Sequence, residues 1–229
     1  MLVAIETTGD TCGVALFDGN TLRGELHVEV PRSHDRLLAH LYQQLLEATE
    51  VKPRDIKSLA VSVGPGSYTG IRIGMSFAIG VSLATGAPII PVPTLDAIAF
   101  DVRYLGNVSH RSRVISLISA GRGGLYAGLY EITPEFNRLT ETKTIPTSQI
   151  PPLLDENVFA AGPGASLIDA SCSDNIAVDS ERLTAAAIGR LGLYLSYRGA
   201  GSAAEDIRPL YISDYTPVLT PKKGKKAGR

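Results

Sequence analysis

Apolar positions along this chain fall into two spacings, alternating or continuous short runs and helical stripes, and together they predict a mixed α/β protein. Leu2 to Glu6 reads as a strand, followed by a polar turn over Thr7 to Thr11. Gly13 to Phe17 reads as a second strand, Asp18-Gly19-Asn20 as a hairpin turn, and Leu22 to Val30 as a third strand. Ser33 stands where a helix cap belongs, and Leu37, Leu38, Leu41, Leu45 and Leu46 follow at helical spacing up to Thr49. Leu59 to Val63 is a fourth strand that runs into Gly64-Pro65-Gly66. A helix from Thr69 to Thr85 and a strand from Pro88 to Val92 follow.

The second half repeats this order. Arg113 to Ser119 is a strand, Gly121, Gly123 and Gly124 mark a turn, and Leu125 to Ile132 and Leu139 to Ile145 complete a meander. A short helical stretch covers Ser148 to Leu154. Val158 to Ala161 is a strand that ends in Gly162-Pro163-Gly164, with a short helix behind it. The same Gly-Pro-Gly punctuation thus closes two units of three strands and a helix, which points to an internal duplication. A late helix spans Leu183 to Tyr197, and Glu205 to Tyr215 is expected to pack back on the first half. The expected division is a first lobe over 1–103, a second over 104–200, a C-terminal segment over 201–217 and a basic, disordered tail over 218–229.

The helix after Gly70 is apolar all round. Gly70, Gly74, Ala78 and Ser82 form a stripe of small residues, Met75, Ile79 and Leu83 run beside it, and Ile71, Ile73, Phe77 and Val81 fill the other faces. One sheet buries only one side of such a helix, so a further helix or a partner must cover the rest. The stripe permits close helix–helix approach.

Composition narrows the class. The chain has 229 residues, of which 44% are hydrophobic and 20% charged, and its formal net charge is −1. These are globular values. Five of the 22 basic residues lie in the final eight positions, Lys222 to Arg229, so the body carries an acidic excess and lacks the basic balance of a stand-alone nucleic-acid binder. Two cysteines, Cys12 and Cys172, support neither a disulfide framework nor a Cys-rich zinc site. The longest apolar stretch, Ile73 to Ala87, contains three glycines and is too short to span a bilayer. No basic, then apolar leader opens the chain, so a reducing cytoplasm without membrane attachment is expected.

Candidate chemistry is sparse. Gly64-Pro65-Gly66-Ser67-Tyr68-Thr69-Gly70 sits between a strand and a helix, where backbone amides can hold an anion. It lacks the lysine of a Walker A loop and the spacing of a dinucleotide fingerprint. Ser67 lacks a nucleophile elbow. His34 and His40 are six positions apart and cannot chelate one ion from one helix face, and His27 and His110 read as surface residues. Glu6 and Asp10 flank the first turn, where a hydrated Mg²⁺ or plain solvent would suit them equally.

Ala4-Ile5-Glu6-Thr7-Thr8, the block from Gly64 to Gly74, Pro209-Leu210-Tyr211-Ile212, Arg32-Ser33-His34 and Val92-Pro93-Thr94-Leu95 together resemble the TsaB (YeaZ) family, in order and over nearly the whole chain. The resemblance implies a duplicated two-lobe fold of the actin/Hsp70/sugar-kinase, ribonuclease H-like kind. It implies a non-catalytic subunit in the synthesis of threonylcarbamoyladenosine on tRNAs that read codons beginning with adenine. The implied partners are a TsaD-like catalytic paralogue, a TsaE-like ATPase, a second copy when alone, and tRNA indirectly. It implies no cofactor of its own, with ATP or ADP at the complex interface as the nucleotide expectation. Carried over, the first two helices would dock the paralogue through His34, Leu37, Leu41, Leu45, Ile71, Met75, Ile79 and Leu83. Glu6, Thr8, Gly66, Ser67, Thr69 and Arg72 are the phosphate or nucleotide candidates, and no catalytic or metal residue is assigned. The His pair of the catalytic paralogue is missing here, and Glu6 stands where the actin-like pattern usually has Asp. The rival readings are a nucleotide-dependent ATPase or phosphotransferase on the same fold and, last, a glycoprotease-like peptidase.

Overall fold

A computed structural model of the chain describes residues 1–29, 33–104, 113–121, 123–132, 136–155, 157–168, 176 and 182–212. The first sheet contains β1 (Leu2–Glu6), β2 (Thr11–Asp18), β3 (Thr21–Glu29), β4 (Ser58–Gly64) and β5 (Ile89–Pro93), in the order β3-β2-β1-β4-β5. β1, β2 and β3 are antiparallel neighbours, while β4 and β5 run parallel to β1. The second sheet contains β6 (Arg113–Gly121), β7 (Gly124–Glu131), β8 (Asn137–Arg138), β9 (Lys143–Pro146) and β10 (Val158–Ala161). β6 and β7 are antiparallel, β8 and β9 both pair with β7, and β10 lies parallel to β6. Each sheet thus has an antiparallel meander whose first strand is also flanked by a later parallel strand. This is the expected duplicated, two-lobe actin/Hsp70/sugar-kinase-like fold.

The duplication extends to the turns. Gly64 and Gly162 open the two Gly-Pro-Gly segments with φ of +110° and +99°. A side chain there would meet a carbonyl oxygen at 2.6 Å, from Leu210 in one case and Leu117 in the other. Only glycine suits both the backbone region and the space.

Alternate residues of β1 face opposite layers, as the period of a strand requires. Val3 and Ile5 join Val14, Leu16, Leu59 and Val61 under α1 (His34–Ala48) and α2 (Tyr68–Thr85). Leu2 and Ala4 join Ala15, Phe17 and Ala60 under α3 (Thr94–Asp101) and α4 (Ala185–Tyr197). That second core also takes in Val114, Ile118 and Tyr130 of β6 and β7, so it joins the two lobes. Tyr130 Oη donates to Asp96 Oδ1 at 2.7 Å, and Arg138 pairs with the same carboxylate.

Several expectations need correction. α4 was grouped with the second lobe, yet it packs on the first sheet. A Cβ at Gly189 or Gly192 would collide with Phe17 or Ala60, so small residues seat this helix on the sheet. α3 was not expected, because Leu95, Ala97, Ile98, Ala99 and Phe100 are all buried and leave no amphipathic stripe to read. Of the strand expected over 139–145 only the end forms, as β9 from Lys143; β8 stops at Arg138, and the Leu139 and Thr140 amides both turn onto the Leu129 carbonyl. The helical stretch at 148–154 is two short 3₁₀ turns, and the one behind Gly162 is a third. Ser33 precedes α1 but makes no side-chain cap, and its hydroxyl accepts from Arg36 instead.

The segment after α4 returns to the first sheet. Ser202 pairs with Ile89, Ile207 enters the core beneath α1 and α2, and the Leu210 amide donates to Val63 O at 2.7 Å. Val30, Arg32, His110, Cys172 and everything from residue 213 onward, including the basic tail, lie outside the described residues. Among the described residues no helix is long and apolar enough to cross a membrane.

Candidate functional site

The β1–β2 turn and the Gly64–Gly70 loop fit against each other at the mouth between the lobes. Thr7 Oγ1 donates to Gly70 O at 2.8 Å, and the Ser67 amide donates to Thr8 O at 2.7 Å. A Cβ on Gly70 would lie 1.9 Å from Thr7 O, and one on Gly74 would lie 2.4 Å from Thr7 Oγ1. The small-residue stripe of α2 therefore faces inward and lets the helix approach β1 and β4. It does not serve a helix–helix contact as the sequence reading expected. Ser67 caps α2, accepting from the Gly70 amide at 3.1 Å.

Beneath the turn lies Glu6, fully buried. Its Oε1 accepts from Thr8 Oγ1 at 2.6 Å and from the Thr8 and Gly9 amides, while Oε2 has no partner. Burial disfavours the charged form and pushes the carboxyl up to about 7, against the opposing pull of the Thr8 hydroxyl, the nearby Ser62 hydroxyl and the Thr8 and Gly9 amides. The Cys12 thiol is raised to about 11 by burial and by the carboxylate beside it.

Above the turn opens an interlobe cleft of about 790 Å³. Thr8, Asp10, Ser67, Thr69 and Ile73 line it from the first lobe, and Ser119, Pro163 and Leu183 from the opposite side. His34 also borders it. This side chain is 7% exposed and its Nε2 has no partner. Among the nucleotide candidates, Thr8, Gly66, Ser67 and Thr69 reach the cleft. Glu6 lies below its floor, and Arg72 points away from it. The Ser67 and Gly70 amides and the Thr8 hydroxyl are already engaged within the protein. The loop is a packed joint. Among the described residues no three His, Cys, Asp or Glu side chains converge as metal ligands.

A second depression of about 570 Å³ runs between α1 and α2 on the outer face. Leu38, Tyr68, Arg72, Ile73 and Phe77 line it, with Asp35 at one end. Tyr68 is 53% exposed and stacks on Tyr211 with ring centroids 5.1 Å apart. The Arg72 guanidinium lies 4.0 Å from the Tyr68 ring centroid and donates to Tyr211 Oη at 3.1 Å.

This geometry corrects the docking set. Leu41, Leu45, Ile71 and Met75 are core residues under the sheet-facing sides of the two helices, and His34 is buried at the cleft. Leu37 and Ile79 are half-buried, and Leu83 is exposed at 76%. A second half-buried apolar line of α2 passes through Ile73 and Phe77, which pack against the edge of the same core, with Tyr42 of α1 edge-on to Phe77 at 5.3 Å. Sequence reasoning missed this line, which flanks the small-residue stripe; the face opposite the stripe carries the exposed Arg72 and Ser76. Tyr68, Tyr211, Ser119 and Pro163 were missed because they come together only through the fold.

Similarity to known proteins agrees with this architecture. A family model described as "TsaD: tRNA N6-adenosine threonylcarbamoyltransferase" matches residues 28–147. The chain is 30% identical over 130 residues to the tRNA threonylcarbamoyladenosine biosynthesis protein TsaB of Bacillus subtilis, covering 57% of this chain and 55% of that one. It is 34% identical over 131 residues to its Escherichia coli namesake, covering 57% and 54%. The chain thus spans about half the length of the curated relatives it matches. The solved structure of YeaZ from Pseudomonas aeruginosa superposes with a TM-score of 0.77 at 25% identity, covering 92% of this chain and 99% of that one. With its duplicated sheets, its Gly-Pro-Gly joint and these relatives, the chain belongs to the TsaD family, on its TsaB (YeaZ) branch.

Proposed function

We propose that this chain is a partner subunit in the synthesis of threonylcarbamoyladenosine on tRNA, supporting a TsaD-like catalytic paralogue and forming no bond itself. The observation that carries this reading is the apolar groove between α1 and α2, left open among the described residues and lined by Ile73 and Phe77 between Tyr42 and Tyr68. A paralogue with the same fold offers a matching helix pair, and ridges of one pair can seat in the grooves of the other. Completing the burial of two to three half-exposed apolar side chains there contributes about 1.5–5 kcal/mol before the cost of association. The same face serves a homodimer when the paralogue is absent. A TsaE-like ATPase is a further partner, and the cytoplasm, where tRNA is modified, is the proposed location.

The test is copurification. The paired substitution Ile73→Asp and Phe77→Asp places two charges on half-buried positions that border the groove. The expected result is loss of the paralogue at a temperature where circular dichroism shows the variant still folded, with a lowered melt. Full retention of the paralogue would reject the surface.

A second reading, a nucleotide-dependent ATPase or phosphotransferase, rests on the interlobe cleft. Calorimetric titration of the chain alone, and of its complex with the paralogue, with ATP and ADP separates the two. The partner reading places any nucleotide in the complex. Tight binding and turnover by the isolated chain, absent from a Thr69→Ala, Ser119→Ala variant, would favour the enzyme.

A further inference from the structure

The end of α3 and the outer side of α4 carry a ladder of arginines on aromatic rings. Arg190 Cζ lies 4.8 Å from the Tyr104 centroid, and Arg198 Cζ lies 4.7 Å from that of Tyr194. Phe100 joins the two, with centroids 6.4 Å from Tyr104 and 5.1 Å from Tyr194. The exposed large hydrophobic side chains of this stretch are both tyrosines, Tyr104 at 60% and Tyr197 at 71%. Arg190 is paired with Asp101. Arg198 is exposed and, among the described residues, has no carboxylate within ion-pair distance. In a body with an acidic excess, this aromatic face therefore presents one exposed, unpaired cation, Arg198, at the end of α4 away from the Glu25 carboxylate that caps its start.

We propose that this α3–α4 face is an RNA contact surface. A guanidinium laid flat on a ring is already oriented, and its free N–H edge meets phosphate oxygens with little further loss of side-chain freedom. An exposed tyrosine ring beside it offers a stacking plane for an unpaired base. Arg198 supplies the phosphate contact, and Tyr104 and Tyr197 supply the planes. Tyrosine and arginine also mark protein interfaces. Here the sign of the charge and the lack of exposed aliphatic side chains on the two elements favour a polyanion with planar bases. The inference deepens the reading of this chain as a subunit acting on tRNA. It is compatible with docking, because α1 and α2 lie on the other face of the first sheet. Both faces can be occupied together.

The test uses a fluorescently labelled tRNA transcript, titrated by anisotropy at several salt concentrations into the chain alone and into its complex with the TsaD-like paralogue. The Tyr104→Ala, Tyr197→Ala, Arg198→Ala variant is expected to bind the tRNA about tenfold more weakly in both settings. Arg198→Ala alone should reduce the slope of log affinity against log salt by about one. The melting temperature and copurification should stay unchanged. Wild-type affinity and slope in the variants would overturn the proposal, as would absence of tRNA binding by the wild type in either setting. Loss of the paralogue in place of tRNA would make this a protein surface and equally overturn it. If the wild-type chain fails to capture the paralogue while its own tRNA binding responds to these substitutions, the RNA surface stands and the partner-subunit reading falls.

Discussion

Glu6→Gln removes a titrating proton from beneath the cleft while preserving shape. The amide oxygen can still accept from Thr8 Oγ1 and from the Thr8 and Gly9 amides, and the Nε2 group takes the place of the unpartnered Oε2. In the native protein burial raises the carboxyl from 4.5 to about 7. Between those values the folded state holds a proton that the unfolded chain has released. Stability is therefore greatest below the unfolded value and falls as pH rises through the folded one. The part of this loss between pH 5 and pH 8 is on the order of 2–3 kcal/mol, roughly 5–10 °C in melting temperature for a chain of this size. The glutamine variant lacks this contribution at every pH. Urea unfolding of both proteins at pH 5 and pH 8 isolates it, because all other titrating groups cancel in the difference. The variant should gain on the order of 2–3 kcal/mol on the wild type as pH rises across that interval. A difference independent of pH, or one of opposite sign, would refute the assignment of a buried, proton-holding carboxyl.

Gly70→Ala should leave little folded protein, because its Cβ would stand 1.9 Å from the Thr7 carbonyl oxygen and backbone on both sides must move; soluble yield and the far-UV melt check this. Ser67→Ala removes the α2 cap and should cost about 1 kcal/mol in urea unfolding. Met75→Asp should unfold the first lobe outright, since Met75 is 7% exposed within the core, whereas Ile73→Asp, at a half-buried position on the edge of that core, should lower the melt while leaving the chain folded. Tyr211→Ala removes the stack on Tyr68 and the Arg72 contact, and should cost about 1 kcal/mol, read by thermal melting.

The repeated architecture was legible because its signals are local. The alternation of Val3 and Ile5 against Leu2 and Ala4, the hairpin at Gly19 and the twin Gly-Pro-Gly turns each fix a short piece of backbone. Placement of the pieces was less legible. α3 carries no polar stripe, and α4 follows the second sheet in sequence yet seats Gly189 and Gly192 on the first. The face of α2 was misread because small residues suit a helix–helix contact and a helix–sheet contact alike. The Thr7 side chain and carbonyl, 63 residues from Gly70, decide which applies. The cleft shows the same division. Thr8, Ser67 and Thr69 stand out within their motifs, but Ser119 and Pro163 join them only when the two lobes close on one core.

Reconstitution of threonylcarbamoyl transfer to a tRNA transcript, with purified TsaD-like paralogue, the activated threonylcarbamoyl donor and graded amounts of this chain, addresses the partner role most directly. Modification should depend on the chain, rise to a plateau near equimolar paralogue, and be lost with the Ile73→Asp, Phe77→Asp variant but persist with Thr69→Ala, Ser119→Ala. Equal modification without the chain, or full activity of the charged-groove variant, would contradict the account.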